Sequence, residues 1–75
     1  MNKIDKINKT LDLATYIFDH PTELVLISDL IEILNIDSFG IDKKLINRLD
    51  VSKTVPSEVM DISSVIISNL NNLIR

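Results

Sequence analysis

Ile4, Ile7, Leu11, Ala14, Ile17 and Phe18 recur at steps of three and four, the period of an α-helix and not of a strand. Lys3, Lys6, Lys9 and Asp12 fall on the opposite face, so the spacing predicts an amphipathic helix. It must stop near Asp19, because Pro21 biases His20 away from helical angles. Strict two-residue alternation occurs nowhere in the 75 residues, which removes sheet-based folds from consideration. The interior has to be aliphatic: the chain holds 13 Ile, 10 Leu and 5 Val against three aromatic residues.

The remaining segments read as shorter helices. Thr22–Ile27 is ambiguous, since four successive apolar residues suit a buried loop, a helical turn or an extended piece alike. A second short helix is expected from Ser28 through Leu34, with Ser28 or Asp29 as cap and Leu30, Ile31 and Leu34 inward. Ser38 then sits at a helix start, followed by Phe39, Ile41, Leu45, Ile46 and Leu49 on one side. Asp50–Thr54 reads as loop, Pro56 suits a first helical turn, and Ser57–Asp61 makes a turn or so. The last helix is expected from about Ser63 to Ile74, with Val65, Ile66, Leu70, Leu73 and Ile74 inward. The predicted fold is all-α, one domain over residues 1–75: a small bundle of three main helices plus one or two short helical turns.

Several kinds of chemistry are excluded by what the chain lacks. Without cysteine there are no disulfides, thiolate metal sites or thiol nucleophiles, and one His builds no His-rich metal centre. The longest apolar run, Leu24–Ile27, is far too short for a membrane span, and the amino end is charged from Lys3 onward, so a cytoplasmic protein without membrane insertion is expected. A net charge of −3 with no basic arm argues against a nucleic-acid partner.

Charge is unevenly placed. Between Thr10 and Asp42 there are seven acids and no Lys or Arg, whereas Lys43, Lys44, Arg48 and Lys53 follow directly against Asp50 alone. The two blocks meet beside Ser38. Patterning of this kind steers partners. Asp29 and Glu32, three apart on the short helix, could also pair as acid and base, although a solvated face is the ordinary outcome.

A serine opening a helix ordinarily caps it, its oxygen accepting from an orphan backbone NH. Nucleophilic catalysis competes poorly: the Gly-x-Ser-x-Gly elbow is absent, and only His20, otherwise a surface loop residue, offers a base. A third use treats the hydroxyl as an attachment point, because a phosphate esterified there would meet the positive end of the helix dipole.

The stretch Asp29-Leu30-Ile31-Glu32-Ile33-Leu34-Asn35-Ile36-Asp37-Ser38-Phe39 resembles the segment of acyl carrier proteins that ends in Asp-Ser-Leu. Val55-Pro56 and Ile62-Ser63-Ser64-Val65 are similar to later landmarks of that family. Asp37 to Gly40 reads Asp-Ser-Phe-Gly, as D-alanyl carrier proteins tend to, and Asn47-Arg48-Leu49-Asp50 echoes their Asn-Arg-Phe-Asp. The resemblance implies an acyl-carrier-like bundle, not an enzyme, whose Ser38 receives 4'-phosphopantetheine from coenzyme A through a phosphopantetheinyl transferase. Acyl or aminoacyl groups would then travel as thioesters, the sulfur coming with the group. By the same resemblance Asp37 shapes the transferase contact and Phe39 and Ile41 lie beside the arm; their plainer readings are a second cap and core. An aliphatic interior parts at lower cost than interlocked aromatics to admit an acyl chain, although a filled bundle is the commoner result.

Two features depart from the family. The stretch from Ser38 to Asn47 is about one helical turn shorter than in D-alanyl carriers, so a truncated helix is expected after the serine. That helix carries Lys43, Lys44 and Arg48 with only Asp42 and Asp50, where the family is usually acidic. Loading and transferring enzymes are therefore expected to be acidic or neutral at that face, or to dock through Glu23, Asp29, Glu32 and Asp37; a solvated face is the alternative for the lysines. A monomer is expected. The rival reading is an unmodified helical bundle that offers an apolar groove to a partner helix.

Overall fold

The structure is a computed structural model, described here for residues 2–50 and 55–74. It is all-helical, with α1 (Lys3–Asp19), α2 (Leu24–Ile36), α3 (Lys43–Arg48) and α4 (Pro56–Leu73). Three are long and one is short, the predicted kind of bundle, but the short element is α3 and not the Ser28–Leu34 segment that the spacing marks as short. The expected loop over Asp50–Thr54 falls, from Val51 on, outside the described residues.

α1 begins where Asn2 Oδ1 accepts from the Asp5 N–H at 2.9 Å, filling one orphan donor of the first turn. It ends at His20, whose backbone N–H reaches the Tyr16 and Ile17 carbonyls before Pro21. Its buried side is Ile7, Thr10, Ala14 and Ile17; Leu11 and Phe18 are half-buried, and Ile4, expected inward, is exposed near the open end.

α2 is longer than the reading of Ser28–Leu34 and absorbs the ambiguous apolar run. Successive residues turn by about 100° around a helix, so only Ile27 of the four is buried, Leu26 is half-buried, and Leu24 and Val25 face out. Ser28 and Asp29 are not caps but lie within the second turn. Glu23 occupies the cap position with no side-chain bond to the helix.

The last helix also starts earlier than Ser63. Pro56 at its first position supplies a pre-set φ and lacks only an N–H that would be orphaned anyway. From there Val59, Ile62, Ser63, Ile66 and Leu70 form one continuous inward stripe, so the expected turn at Ser57–Asp61 and the expected last helix are one element. Val65, Leu73 and Ile74 are exposed, off the edge of that stripe or at the fraying end.

α1 packs chiefly on α4, α2 lies against α1, and α3 bridges α2 and α4. The core is aliphatic except for Phe39. No helix among the described residues is long and apolar enough to cross a membrane.

Candidate functional site

α2 ends at Ile36, and the Asp37 N–H still donates to the Ile33 carbonyl at 3.0 Å. The next four residues form a tight turn instead of the predicted helix start. Asp37 Oδ1 accepts from the Phe39 N–H at 3.0 Å, and the Ile41 N–H donates to the Ser38 carbonyl at 2.8 Å. Phe39 and Gly40 have φ of 51° and 81°. Two consecutive left-handed residues are the pattern of a type I′ turn and cannot be continued as a right-handed helix.

Ser38 is therefore not at a helix amino end. α3 begins five residues later, at Lys43, and its cap is Asp42, whose Oδ1 accepts from the Lys44 N–H at 2.9 Å. Both expectations that used a helix start at Ser38, capping and a dipole-favoured phosphate, are corrected by this geometry. What the turn does instead is hold the serine between two anchors. Phe39 and Ile41 are 7% and 4% exposed, packed in the core, while Ser38 is half-buried. Its hydroxyl makes no hydrogen bond among the described residues and is not a sealed polar atom.

The charged candidates lie on the helices before and after this turn. Asp29 and Glu32 are exposed on α2, and Asp42, Lys43 and Lys44 are exposed at the start of α3. Arg48 is exposed in the last turn of α3, where its Nη2 lies 3.3 Å from Glu58 Oε1 of α4. α3 is short, at six residues, where the apolar spacing from Ser38 to Leu49 predicts a longer helix and only the departure from D-alanyl carriers a truncated one.

His20 is exposed between α1 and α2, its ring stacked on Tyr16 at 4.1 Å between centroids and its Nδ1 3.0 Å from the Tyr16 carbonyl oxygen. Ser38 lies past the other end of α2, whose 13 residues span about 20 Å at 1.5 Å each. The two side chains do not form a nucleophile–base pair.

Two further residues at the site went unread in the sequence. A surface trough of about 260 Å³ runs from the Ser38 turn along the α1–α2 junction, with Thr10, Ile33 and Phe39 at its base and the exposed Ile36 at its edge. Lys6 and Lys9 line it from α1 and Asp37 from the end of α2. The helical pattern places both lysines on the solvated face of α1; only the packing of α2 against α1 brings the end of α2 beside them. A different hollow lies between α2 and α3, lined by Ser28, Ile31, Asn35, Ile46 and Leu49.

No protein-family model matches this chain, and neither a curated protein nor a solved structure is similar to it at a significant level.

Proposed function

We propose that this chain is a stand-alone phosphopantetheine-dependent carrier, cytoplasmic and monomeric, that holds acyl or aminoacyl groups as thioesters for fatty-acid, polyketide or related biosynthesis. The observation that carries the reading is the uncommitted Ser38 hydroxyl. It caps no helix, bonds to no described neighbour and keeps contact with solvent, in an Asp-Ser-Phe-Gly turn pinned on either side. An attached arm would have an outlet there, and a phosphodiester at Ser38 Oγ would displace no structural bond. When bound, 4'-phosphopantetheine supplies the thiol that a chain without cysteine lacks.

The chain's own residues then present that oxygen. The Asp37 carboxylate fixes the turn through the Phe39 N–H, and Phe39 and Ile41 fix its height above the core. Asp29 and Glu32 before the serine, and Asp42, Lys43, Lys44 and Arg48 after it, give a transferase and the loading enzymes an acidic and a basic patch to distinguish.

Intact-mass measurement after co-expression with a phosphopantetheinyl transferase tests the reading. One phosphopantetheine is expected on the wild type and none on Ser38→Ala. Apo mass with several transferases overturns it and favours the second reading, an unmodified helical interaction module. Val25 and Ile36 support that alternative: at 73% and 83% exposed they bracket Asp29 and Glu32 on the outer side of α2.

A further inference from the structure

The trough beside the Ser38 turn combines an apolar floor with a one-sided charge. Lys6 and Lys9 are three apart on α1 and share a face of the helix. Neither makes an ion pair or hydrogen bond through its ammonium with another described residue. Of the acids, only Asp37 lines the trough, at the far side, with one carboxylate oxygen already engaged by the Phe39 N–H. Asp5 and Asp12 lie on α1, four residues before and three after Lys9, and do not line it. Ile36 is the most exposed large apolar side chain described. Anything seated here removes apolar surface from water and meets two unpaired cations at one edge.

We infer that this trough is a binding site for a small carboxylic acid with a short aliphatic body, its chain on Ile33, Ile36 and Phe39 and its carboxylate at Lys6 and Lys9. Charge selects the occupant. A neutral chain of the same length would gain the apolar floor alone, and a cationic one would be repelled by the lysines. Further along the same α1–α2 junction the sign reverses, since Ile33 and Ile36 also border a hollow lined by Leu13, Asp29 and Glu32. The junction thus changes from an anion-selecting end beside the Ser38 turn to a cation-selecting stretch at Asp29 and Glu32. The volume, about 260 Å³, lies just below the usual range for drug-sized ligands, which sets the occupant at the size of a medium-chain acid. The inference makes no use of a group on Ser38 and applies to the unmodified chain.

Titration of the unmodified protein with octanoate, octanol and octylammonium, followed by amide and methyl chemical shifts, tests it. Octanoate is expected to bind saturably with a Kd of about 1 mM, as suits so few atoms, with shifts at Ile33, Ile36, Phe39 and the α1 lysine segment. Lys6→Gln combined with Lys9→Gln should weaken octanoate about fivefold and leave octanol unchanged, since each exposed charge contact is modest. Both lysines are exposed, so unaltered circular dichroism is expected of the double variant. Equal binding of octanol and octanoate, octylammonium shifts at the Lys6–Lys9 segment and Phe39, or octanoate shifts confined elsewhere would each overturn the site.

Discussion

Thr10 and Ser63 are both buried hydroxyl residues, and the bundle treats them differently. Thr10 Oγ1 donates to the Lys6 carbonyl at 2.8 Å, satisfied within its own helix, whereas Ser63 Oγ is sealed with no partner. A buried polar atom without a bond costs about 1–3 kcal/mol in desolvation. Ser63→Ala should therefore leave stability unchanged or raise it by about 1 kcal/mol, read from urea midpoints; a loss of that size would show that the hydroxyl is bonded. Gly40 presents the opposite case. Nothing lies within 4 Å of a Cβ built there, but its φ is +81°, so Gly40→Ala meets no collision and still loses about 1 kcal/mol to backbone strain. An unchanged midpoint would mean that the turn has relaxed. Sequence spacing shows which residues are apolar, yet it cannot show that Phe39 takes φ of 51° without being glycine, because the core burial of its ring holds it there. That one conformation is why the helix start that the spacing predicts at Ser38 does not form.

Among the helices, α1 was the most legible and α3 the least, and length explains the difference. Seventeen residues repeat the 3.6 period often enough to average out exceptions such as Ile4, and Pro21 supplies a hard stop. In and just after α3 the inward set Ile46 and Leu49 agrees with the spacing, and Phe39 and Ile41 are also buried, but the latter two reach the core from a turn. Burial was readable there and backbone conformation was not. The boundaries of α2 and α4 moved outward for a related reason. Helical packing continues past a polar or uncapped start when the next inward residue is already in register, as Ile27 and Val59 are. A six-residue helix, by contrast, is far below the length that sustains itself in water, so α3 depends on its cap and on Ile46. Asp42→Ala should cost about 1 kcal/mol and raise amide exchange across Lys43–Arg48, with α1 and α4 still protected. Uniform loss of protection would mean that α3 is integral to the bundle's cooperativity. In the carrier reading the same element bears the charge that partners meet. Lys43→Glu with Lys44→Glu should then speed loading by a general fatty-acid synthase transferase, and unchanged or slower loading would remove charge from the account of partner choice.

For the molecule as a whole, apolar burial and surface charge compete as sources of stability, and their magnitudes differ enough to decide between them. A domain of 75 residues with no disulfide has a net margin of about 3–5 kcal/mol. The one ion pair among the described residues, Arg48 with Glu58, joins α3 to α4 at 3.3 Å, but the two side chains are 58% and 38% exposed. Water and salt screen such a pair to under about 1 kcal/mol, and its two long side chains lose freedom in making it. Arg48→Met keeps much of the arginine's apolar stem while deleting the charge, so its urea midpoint should shift little, and less still in high salt. Leu34 is wholly buried near the end of α2, where α2 hands over to the Ser38 turn. Leu34→Ala removes three carbons from that core and leaves a cavity at a typical cost of about 2–5 kcal/mol, comparable to the entire margin. The variant should be substantially unfolded at 25 °C by circular dichroism while Arg48→Met remains fully helical. Were the order reversed, the bridge between α3 and α4 would be electrostatic, and the Ser38 turn would be positioned by surface charge instead of by the aliphatic interior to which Phe39 and Ile41 anchor it.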